Sequence, residues 1–176
     1  MIRTFTALAA FLFWALPAAA LDFSFPSIDG GTLEMADWEG RPVLVVNTAS
    51  RCAFTDQYDA LQALYDRYRE QGLVVLAVPS DDFRQELSSD AEVKEFCEVN
   101  FGLDLPMTTI TSVRGAAAHP FYAWLRDTAD FAPTWNFNKV LIGPEGQLVA
   151  TYGATTRPLA AVLTREIDAL LSPPRG

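Results

Sequence analysis

Residues 42–58 read Pro-Val-Leu-Val-Val-Asn-Thr-Ala-Ser-Arg-Cys-Ala-Phe-Thr-Asp-Gln-Tyr, and this stretch decides the fold. Its first five residues form a continuous apolar run, which is typical of a strand buried on both faces. Apolar and aromatic residues then recur at helical spacing from Phe54 to Tyr68, and Gly72 follows as a C-terminal cap. The sequence predicts a strand over 42–47 and a helix over 53–71.

Cys52 lies at the predicted junction between this strand and this helix. The unpaired backbone N–H groups and the positive dipole end of a helix N-terminus favour a thiolate. A thiolate is the form that attacks an electrophile, so Cys52 is a candidate nucleophile. The alternative is that Cys52 is a small, inert core residue.

A second buried strand is predicted over 73–78, where Pro79 should stop it. Two such strands flanking a helix form a βαβ unit, which implies a parallel pair and a right-handed crossover. After a polar loop, Ser89 and Glu92 have the spacing of a capping box and predict a short helix through about Asn100.

The C-terminal half supplies two further helices and a hairpin. His119-Pro120 predicts the start of one helix, and strands over 139–142 and 147–152 are joined by the turn at 143–146. Arg157-Pro158 is predicted to open a final helix. Its predicted apolar face consists of Leu159, Val162, Leu163, Ile167, Leu170 and Leu171. The order βαβ, helix, ββα predicts an α/β thioredoxin-like fold, with a central mixed β-sheet flanked by helices.

The first twenty residues have the pattern of a signal peptide. A positively charged start precedes an almost wholly apolar run over 5–16, and small residues of the Ala-x-Ala type follow at 18–20. The alternative, an uncleaved membrane anchor, needs about 20 apolar residues, more than this run supplies. We therefore predict a signal peptide over 1–20 and an exported domain over 21–176, periplasmic or extracellular, without stable membrane insertion after cleavage.

Composition excludes several classes of function. Half of the 176 residues are hydrophobic, which suits one domain with a sizeable core. The formal net charge of −9 argues against nucleic acid, because phosphate binding needs clustered Lys and Arg. Neither C-x-x-C nor H-x-x-x-H occurs, so we predict no metal site and no bound cofactor.

Three segments, at 47–58, 83–86 and 135–142, resemble the glutathione peroxidase family. Residues 47–58 are similar to its signature around the catalytic cysteine or selenocysteine, and residues 135–142, Trp-Asn-Phe-Asn-Lys-Val-Leu-Ile, to its second signature. Between them, Phe-Arg-Gln-Glu at 83–86 resembles the loop that carries the family's glutamine. The resemblance runs in consistent order from about residue 25 to 171.

The resemblance implies a thioredoxin-like fold and a catalytic tetrad of Cys52, Gln85, Trp135 and Asn136. It implies reduction of hydrogen peroxide or organic hydroperoxides through a sulfenic acid on Cys52. The amide and indole groups are donors that orient a peroxide and stabilise the departing oxyanion. The single histidine, His119, is assigned a structural role at a helix start.

Cys97 lies where thioredoxin-dependent members of the family carry a resolving cysteine. The resemblance implies that Cys97 condenses with the Cys52 sulfenic acid and that a thioredoxin-like protein or glutathione reduces the disulfide. A permanent structural disulfide and a buried idle thiol remain alternatives. Because Cys97 falls on the helix predicted over 90–100, bridging to Cys52 would require local unwinding, which favours a transient bond.

The chain departs from the family pattern around the glutamine. Arg84 stands in place of two glycines and Leu87 in place of proline, while Ser-Asp-Asp at 80–82 replaces Cys-Asn-Gln. Loss of a residue and of glycine's conformational freedom is a reason for Gln85 to be displaced. An altered peroxidase, a non-enzymatic redox sensor or relay, and a silent thioredoxin-fold binding module remain alternatives. The segment over 124–135 is short and lacks the longer insertion of the family's tetrameric members, so the resemblance implies a monomer.

Overall fold

The computed structural model describes residues 19–172. Residues 1–18 of the predicted signal peptide and the last four residues lie outside this part of the chain. The described chain begins with a 3-10 turn at Ala19–Asp22 and an antiparallel hairpin of two short strands, β1 (Ser24–Pro26) and β2 (Thr32–Glu34).

The central sheet has four strands, which are β3 (Val43–Thr48), β4 (Val74–Pro79), β5 (Lys139–Ile142) and β6 (Leu148–Tyr152). Their spatial order is β4-β3-β5-β6. β3 and β4 are parallel, whereas β5 pairs antiparallel with both β3 and β6. The predicted βαβ unit, hairpin and mixed sheet are therefore confirmed.

Four helices surround the sheet, which are α1 (Gln57–Tyr68), α2 (Asp90–Phe101), α3 (Pro120–Ala129) and α4 (Ala161–Leu171). Leu44 and Val46 of β3 pack with α1, α2 and α4, whereas Val43 and Val45 pack with α3. A strand covered on both faces needs apolar residues at every position, which explains the unbroken run. This is the predicted thioredoxin-like sandwich. No helix within 19–172 has the length and apolar character needed to cross a bilayer.

The predicted helix boundaries were right for α2. Ser89 caps it, because its Oγ accepts a hydrogen bond from the N–H of Glu92 at 3.3 Å. Glu92 reaches back to the N–H of Ser88 at 3.1 Å, one residue before the usual partner of a capping box. Gly102 ends the helix in the left-handed region, with φ of 60°.

The predicted start of α1 at residue 53 was wrong by four residues. The carbonyls of Cys52 and Phe54 accept hydrogen bonds from the N–H groups of Thr55 and Gln57, which makes residues 52–57 a pair of tight turns. At the other end, a 3-10 turn at Arg69–Gln71 continues the helix to Gly72, as predicted.

Two further expectations were wrong. The final helix begins at Ala161, because the N–H of Ala160 bonds to the carbonyl of Arg157 in a separate turn, and Leu159 and Val162 are exposed. The other residues of the predicted face are buried or partly buried. Pro79 was expected to follow the strand, but it is the last residue of β4. Its missing N–H is tolerated at the end of this strand.

His119 is the N-cap of α3. Its Nδ1 accepts a hydrogen bond from the N–H of Phe121 at 3.3 Å, and its Nε2 lies 2.9 Å from the carbonyl oxygen of Ser24. The ring stacks on Phe25 at a centroid distance of 4.0 Å, and burial lowers its pKa. His119 therefore joins α3 to β1, in agreement with a structural role.

Lys139 is a fully buried lysine in the central sheet. Its Nζ donates hydrogen bonds to Gln57 Oε1 at 2.6 Å and to the carbonyl of Phe137 at 2.8 Å, and lies 3.4 Å from that of Ala154. Burial, with a contribution from the charge of Arg157, lowers the pKa of Lys139 to about 7. This side chain ties the start of α1 to β5 and to the segment after β6.

We expect the free energy of unfolding of the wild type, relative to Lys139→Met, to rise from pH 7 to pH 9. The folded pKa of about 7 lies below the ordinary lysine value of about 10.4, so the unfolded chain binds more protons in this range. The slope is at most about 1.4 kcal/mol per pH unit. Urea unfolding at pH 7, 8 and 9 measures it. As a control, the free energy of unfolding of the wild type relative to Lys94→Met should not change over this pH range. Parallel curves for wild type and Lys139→Met would contradict the prediction.

Candidate active site

Cys52 lies in the turns between β3 and α1, with 5% of its surface exposed. Four residues separate it from the first residue of α1. Because the field of a helix dipole falls off within about one turn, the helix contributes less to a Cys52 thiolate than the predicted junction implied.

Gln85 lies beside both the cysteine turn and the second motif. Its Oε1 accepts a hydrogen bond from Asn136 Nδ2 at 2.9 Å, and its carbonyl accepts one from the N–H of Arg51 at 2.8 Å. Arg51 immediately precedes Cys52. The shortened loop therefore does not displace Gln85 from Asn136, and the structure brings the cysteine turn, Gln85 and Asn136 together.

The loop over 80–86 holds this conformation with two aspartates and one left-handed residue. Arg84 has φ of 56°, the conformation that a glycine would favour. Its N–H bonds to the carbonyl of Asp81 at 2.8 Å, and Asp81 Oδ1 accepts the N–H of Glu86 at 3.1 Å. Asp82 accepts hydrogen bonds from residues 112–114 at 2.6–3.1 Å. Asp81, Asp82 and Arg84, which depart from the family pattern, thus stabilise the conformation of the loop.

Asn47 at the end of β3 positions the turn that carries Trp135 and Asn136. Its Nδ2 donates to the carbonyl of Trp135 at 3.0 Å, and its Oδ1 accepts the N–H of Asn138 at 3.1 Å. Its carbonyl also accepts the N–H of Phe137, which has a left-handed φ of 61°. Sequence analysis did not single out Asn47, although it stands in the first motif.

Trp135 and Asn136 differ in exposure. Trp135 is 40% exposed and contacts Phe83 at a centroid distance of 5.4 Å, so its indole lies at the surface and not in the core. Asn136 is fully buried, and its Oδ1 has no hydrogen-bond partner among residues 19–172. The side chains of Gln85, Asn136 and Trp135 carry amide and indole N–H donors, and the backbone of Gln85 is bonded to the residue that precedes Cys52. Such donors suit a reaction that develops negative charge on oxygen.

Comparisons with known proteins point to one family. A family model described as glutathione peroxidase matches residues 20–126. A glutathione peroxidase of Lactococcus lactis is 39% identical over 142 residues, which are 78% of this chain and 90% of that protein. The chain belongs to the glutathione peroxidase family.

Other members of the family are similar over most of the chain. A hydroperoxy fatty acid reductase of Synechocystis is 37% identical and covers 77% of this chain and 87% of its own length. A glutathione peroxidase-like peroxiredoxin of Schizosaccharomyces pombe is 36% identical, with coverages of 74% and 85%. A GPX crystal structure from T. cruzi is 28% identical, with a TM-score of 0.70 over 88% of this chain and 97% of that one. The protein is a glutathione-peroxidase-like hydroperoxide reductase.

Cys97 lies on the buried side of α2, with 1% of its surface exposed. Burial raises the pKa of its thiol to about 12. The nearby Tyr58 hydroxyl lowers that pKa, and the charges of Glu86 and Glu98 raise it further. Cys97 belongs to the same core cluster as Cys52, and both thiols are free. In this position Cys97 is a protonated thiol at neutral pH.

We expect Gln85→Ala to lower the second-order rate constant of this glutathione peroxidase with hydrogen peroxide by about 10²-fold, the usual effect of removing one preorganised donor. Stopped-flow tryptophan fluorescence measures the rate constant. Gln71→Ala, which removes an exposed glutamine of the turn after α1, is the matched control and should leave the rate constant unchanged. A Gln85→Ala rate constant within threefold of wild type would contradict the assignment.

Proposed function

We propose that Cys52 is the peroxidatic residue and that Gln85, Trp135 and Asn136 hold the reacting oxygens. The observation that carries this proposal is the hydrogen bond between Gln85 and Asn136, two residues 51 positions apart, beside the cysteine turn. Neither amide is explained by local structure alone. Their convergence with the exposed indole of Trp135 supports a site for a small, polar, oxygen-rich substrate.

In the first step, the Cys52 thiolate attacks one oxygen of the hydroperoxide. The S–O bond forms and the O–O bond breaks, so sulfur is oxidised to a sulfenic acid. The departing oxygen takes a proton and leaves as an alcohol or as water. The amide and indole N–H groups stabilise the negative charge on that oxygen before the proton arrives.

In the second step, Cys97 resolves the sulfenic acid. Its sulfur attacks the sulfur of Cys52, a disulfide forms, and hydroxide leaves as water after taking up a proton. The burial of Cys97 supports a requirement for α2 to open first, because a thiol with a pKa of about 12 is a poor nucleophile at neutral pH. The Cys52–Cys97 bond is then a redox-active disulfide and not a permanent one.

A thioredoxin-like protein is the proposed reductant in preference to glutathione. One of its thiolates attacks the disulfide, and its second thiol releases the mixed disulfide, which leaves both cysteines of this protein reduced. The name peroxiredoxin, carried by a relative that is 36% identical, supports this choice. The short segment over 124–135 supports activity as a monomer. No bound cofactor is needed for these steps.

We further propose that the protein is exported and that its reductant is exported too. The support is the charged start, the apolar run over 5–16 and the small residues at 18–20. A periplasmic or extracellular peroxidase cannot receive electrons directly from a cytosolic thioredoxin. A thioredoxin-like domain in the same compartment would supply these electrons.

We expect a stoichiometric pulse of hydrogen peroxide to produce a rapid Cys52–Cys97 disulfide in the wild type and a stalled sulfenic acid in Cys97→Ser. Removing the resolving thiol leaves the first step intact and blocks the second. Mass spectrometry after trapping of free thiols identifies both products. Cys52→Ser is the control and should acquire neither product.

Turnover with added reductants separates an enzyme from a sensor. The wild type should consume peroxide continuously with thioredoxin, thioredoxin reductase and NADPH, and more slowly with glutathione. Oxidation of Cys52 without turnover by either donor would favour a redox sensor or relay. A Cys52 that stays reduced as long as an ordinary exposed thiol would contradict the peroxidase role.

We expect the full chain, expressed in a Gram-negative bacterium, to appear in the periplasmic fraction with a new N-terminus near Leu21. Cell fractionation and N-terminal sequencing test this. Ala18→Arg should block cleavage, because signal peptidase needs small residues at its site. Thr4→Ala, upstream of the apolar run, is the control and should be processed normally. An intact N-terminus in the membrane fraction would favour an anchor instead.

A further inference from the structure

Glu86 is a buried carboxylate next to the candidate site, with 5% of its surface exposed. Its Oε1 accepts hydrogen bonds from the N–H of Ser50 at 2.9 Å and from the N–H of Leu87 at 2.8 Å. Its Oε2 is buried and has no hydrogen-bond partner within residues 19–172. Burial raises the pKa of Glu86, and the charge of Asp81 adds to that effect.

Ion pairing does not account for the burial of the Glu86 side chain. Glu86 takes part in none of the ion pairs found among residues 19–172. Burying a carboxylate without a cation costs stability unless hydrogen bonds compensate it. The two hydrogen bonds that it does make both go to backbone N–H groups of the loops around Cys52 and Gln85. The buried position of Glu86 is therefore explained by the two backbone N–H groups that its carboxylate binds.

Glu86 joins the turn that carries Cys52 to the loop that carries Gln85, close to both residues. Ser50 lies two residues before Cys52, and Glu86 itself follows Gln85. The adjacent N–H of Arg51 donates to the carbonyl of Gln85 at 2.8 Å, so two successive N–H groups of the cysteine turn bond to two successive residues of the glutamine loop. The N–H of Glu86 is fixed in turn by Asp81 at 3.1 Å.

We infer that Glu86 is a positioning residue for peroxide reduction, which sets the placement of the Gln85 amide relative to the Cys52 sulfur. This inference rests on the peroxidatic role proposed for Cys52. Glu86 does not touch the substrate. Its effect is on geometry, because displacing a donor by about 1 Å can cost about 10²-fold in rate.

Two reactions of Cys52 distinguish an effect of Glu86 on the placement of the donors from an effect on the reactivity of the Cys52 thiol. Peroxide reduction needs the thiolate and the aligned donors, whereas alkylation by iodoacetamide needs the thiolate and access. Both rate constants are measured in a Cys97→Ser background, so that only Cys52 reacts. The variants are Glu86→Ala, which removes the acceptor, and Glu86→Gln, which keeps an Oε1 acceptor of the same reach. Glu95→Ala removes an exposed glutamate of α2 and is the control.

We expect Glu86→Ala to lower the peroxide rate constant at least tenfold more than the alkylation rate constant. Glu86→Gln should restore the peroxide rate constant to within about threefold of the parent, since the acceptor for Ser50 is retained. Glu95→Ala should change neither. If Glu86→Ala does not fold, Glu86→Met replaces it, because Met keeps the length of the side chain without an acceptor oxygen.

Three results would overturn the inference. In the first, folded Glu86→Ala or Glu86→Met reduces peroxide as fast as the parent. In the second, both rate constants fall in equal proportion, as expected from a general loosening of the fold. In the third, Glu86→Gln is as slow as Glu86→Ala. A parent protein whose Cys52 reacts with peroxide no faster than an ordinary thiol would instead overturn the proposed function, and the inference with it.

Discussion

The Asn47 side chain joins the end of the central strand to the turn that carries Trp135 and Asn136. Its amide donates to one backbone carbonyl of that turn and accepts from one backbone N–H, across 88 and 91 positions of sequence. A side chain with both a donor and an acceptor can fix the orientation of a turn as well as its distance. Because β3 is buried on both faces, Asn47 itself has a rigid support. The placement of the second motif relative to the first depends on this contact.

The glutamine loop is held by carboxylates where glycines would otherwise provide the turn. Asp81, Asp82 and Glu86 accept hydrogen bonds from backbone N–H groups of the loop and of its neighbours. A charged acceptor forms a stronger bond to an amide than a neutral one, so a few such contacts can fix a short irregular segment. Part of the net charge of −9 therefore has a structural use in the site, in addition to its contribution to solubility.

The two cysteines lie in different surroundings, which affect how readily each thiol is oxidised. Cys52 lies in a turn whose neighbouring backbone is bonded to Gln85, whereas Cys97 is a core residue of a capped helix. A buried thiol with a raised pKa resists oxidation while the helix is formed. The resolving role that we propose for Cys97 therefore requires α2 to open, and local opening of a 12-residue helix costs less free energy than opening of a central strand.

The amino-acid sequence determined the βαβ unit, the β5–β6 hairpin, the capping box of α2 and the glycine caps, since each depends on periodicity or on contacts within a few residues. The resemblance of three segments supplied Cys52, Gln85, Trp135 and Asn136 as candidate site residues. The starts of α1 and α4 needed the tertiary structure, because turns with their own hydrogen bonds replaced helix before each of them. The exposure of Leu159 and Val162 was also visible only in the folded chain.

The geometry of the candidate site also needed the tertiary structure. Sequence analysis gave reasons for Gln85 to be displaced and passed over Asn47 and Glu86. Only the folded chain showed Gln85 bonded to Asn136 and the glutamate bonded to Ser50. The physical reason is that the backbone N–H groups of a loop have no partner fixed by local pattern. Which distant side chain satisfies them is decided when the whole chain packs.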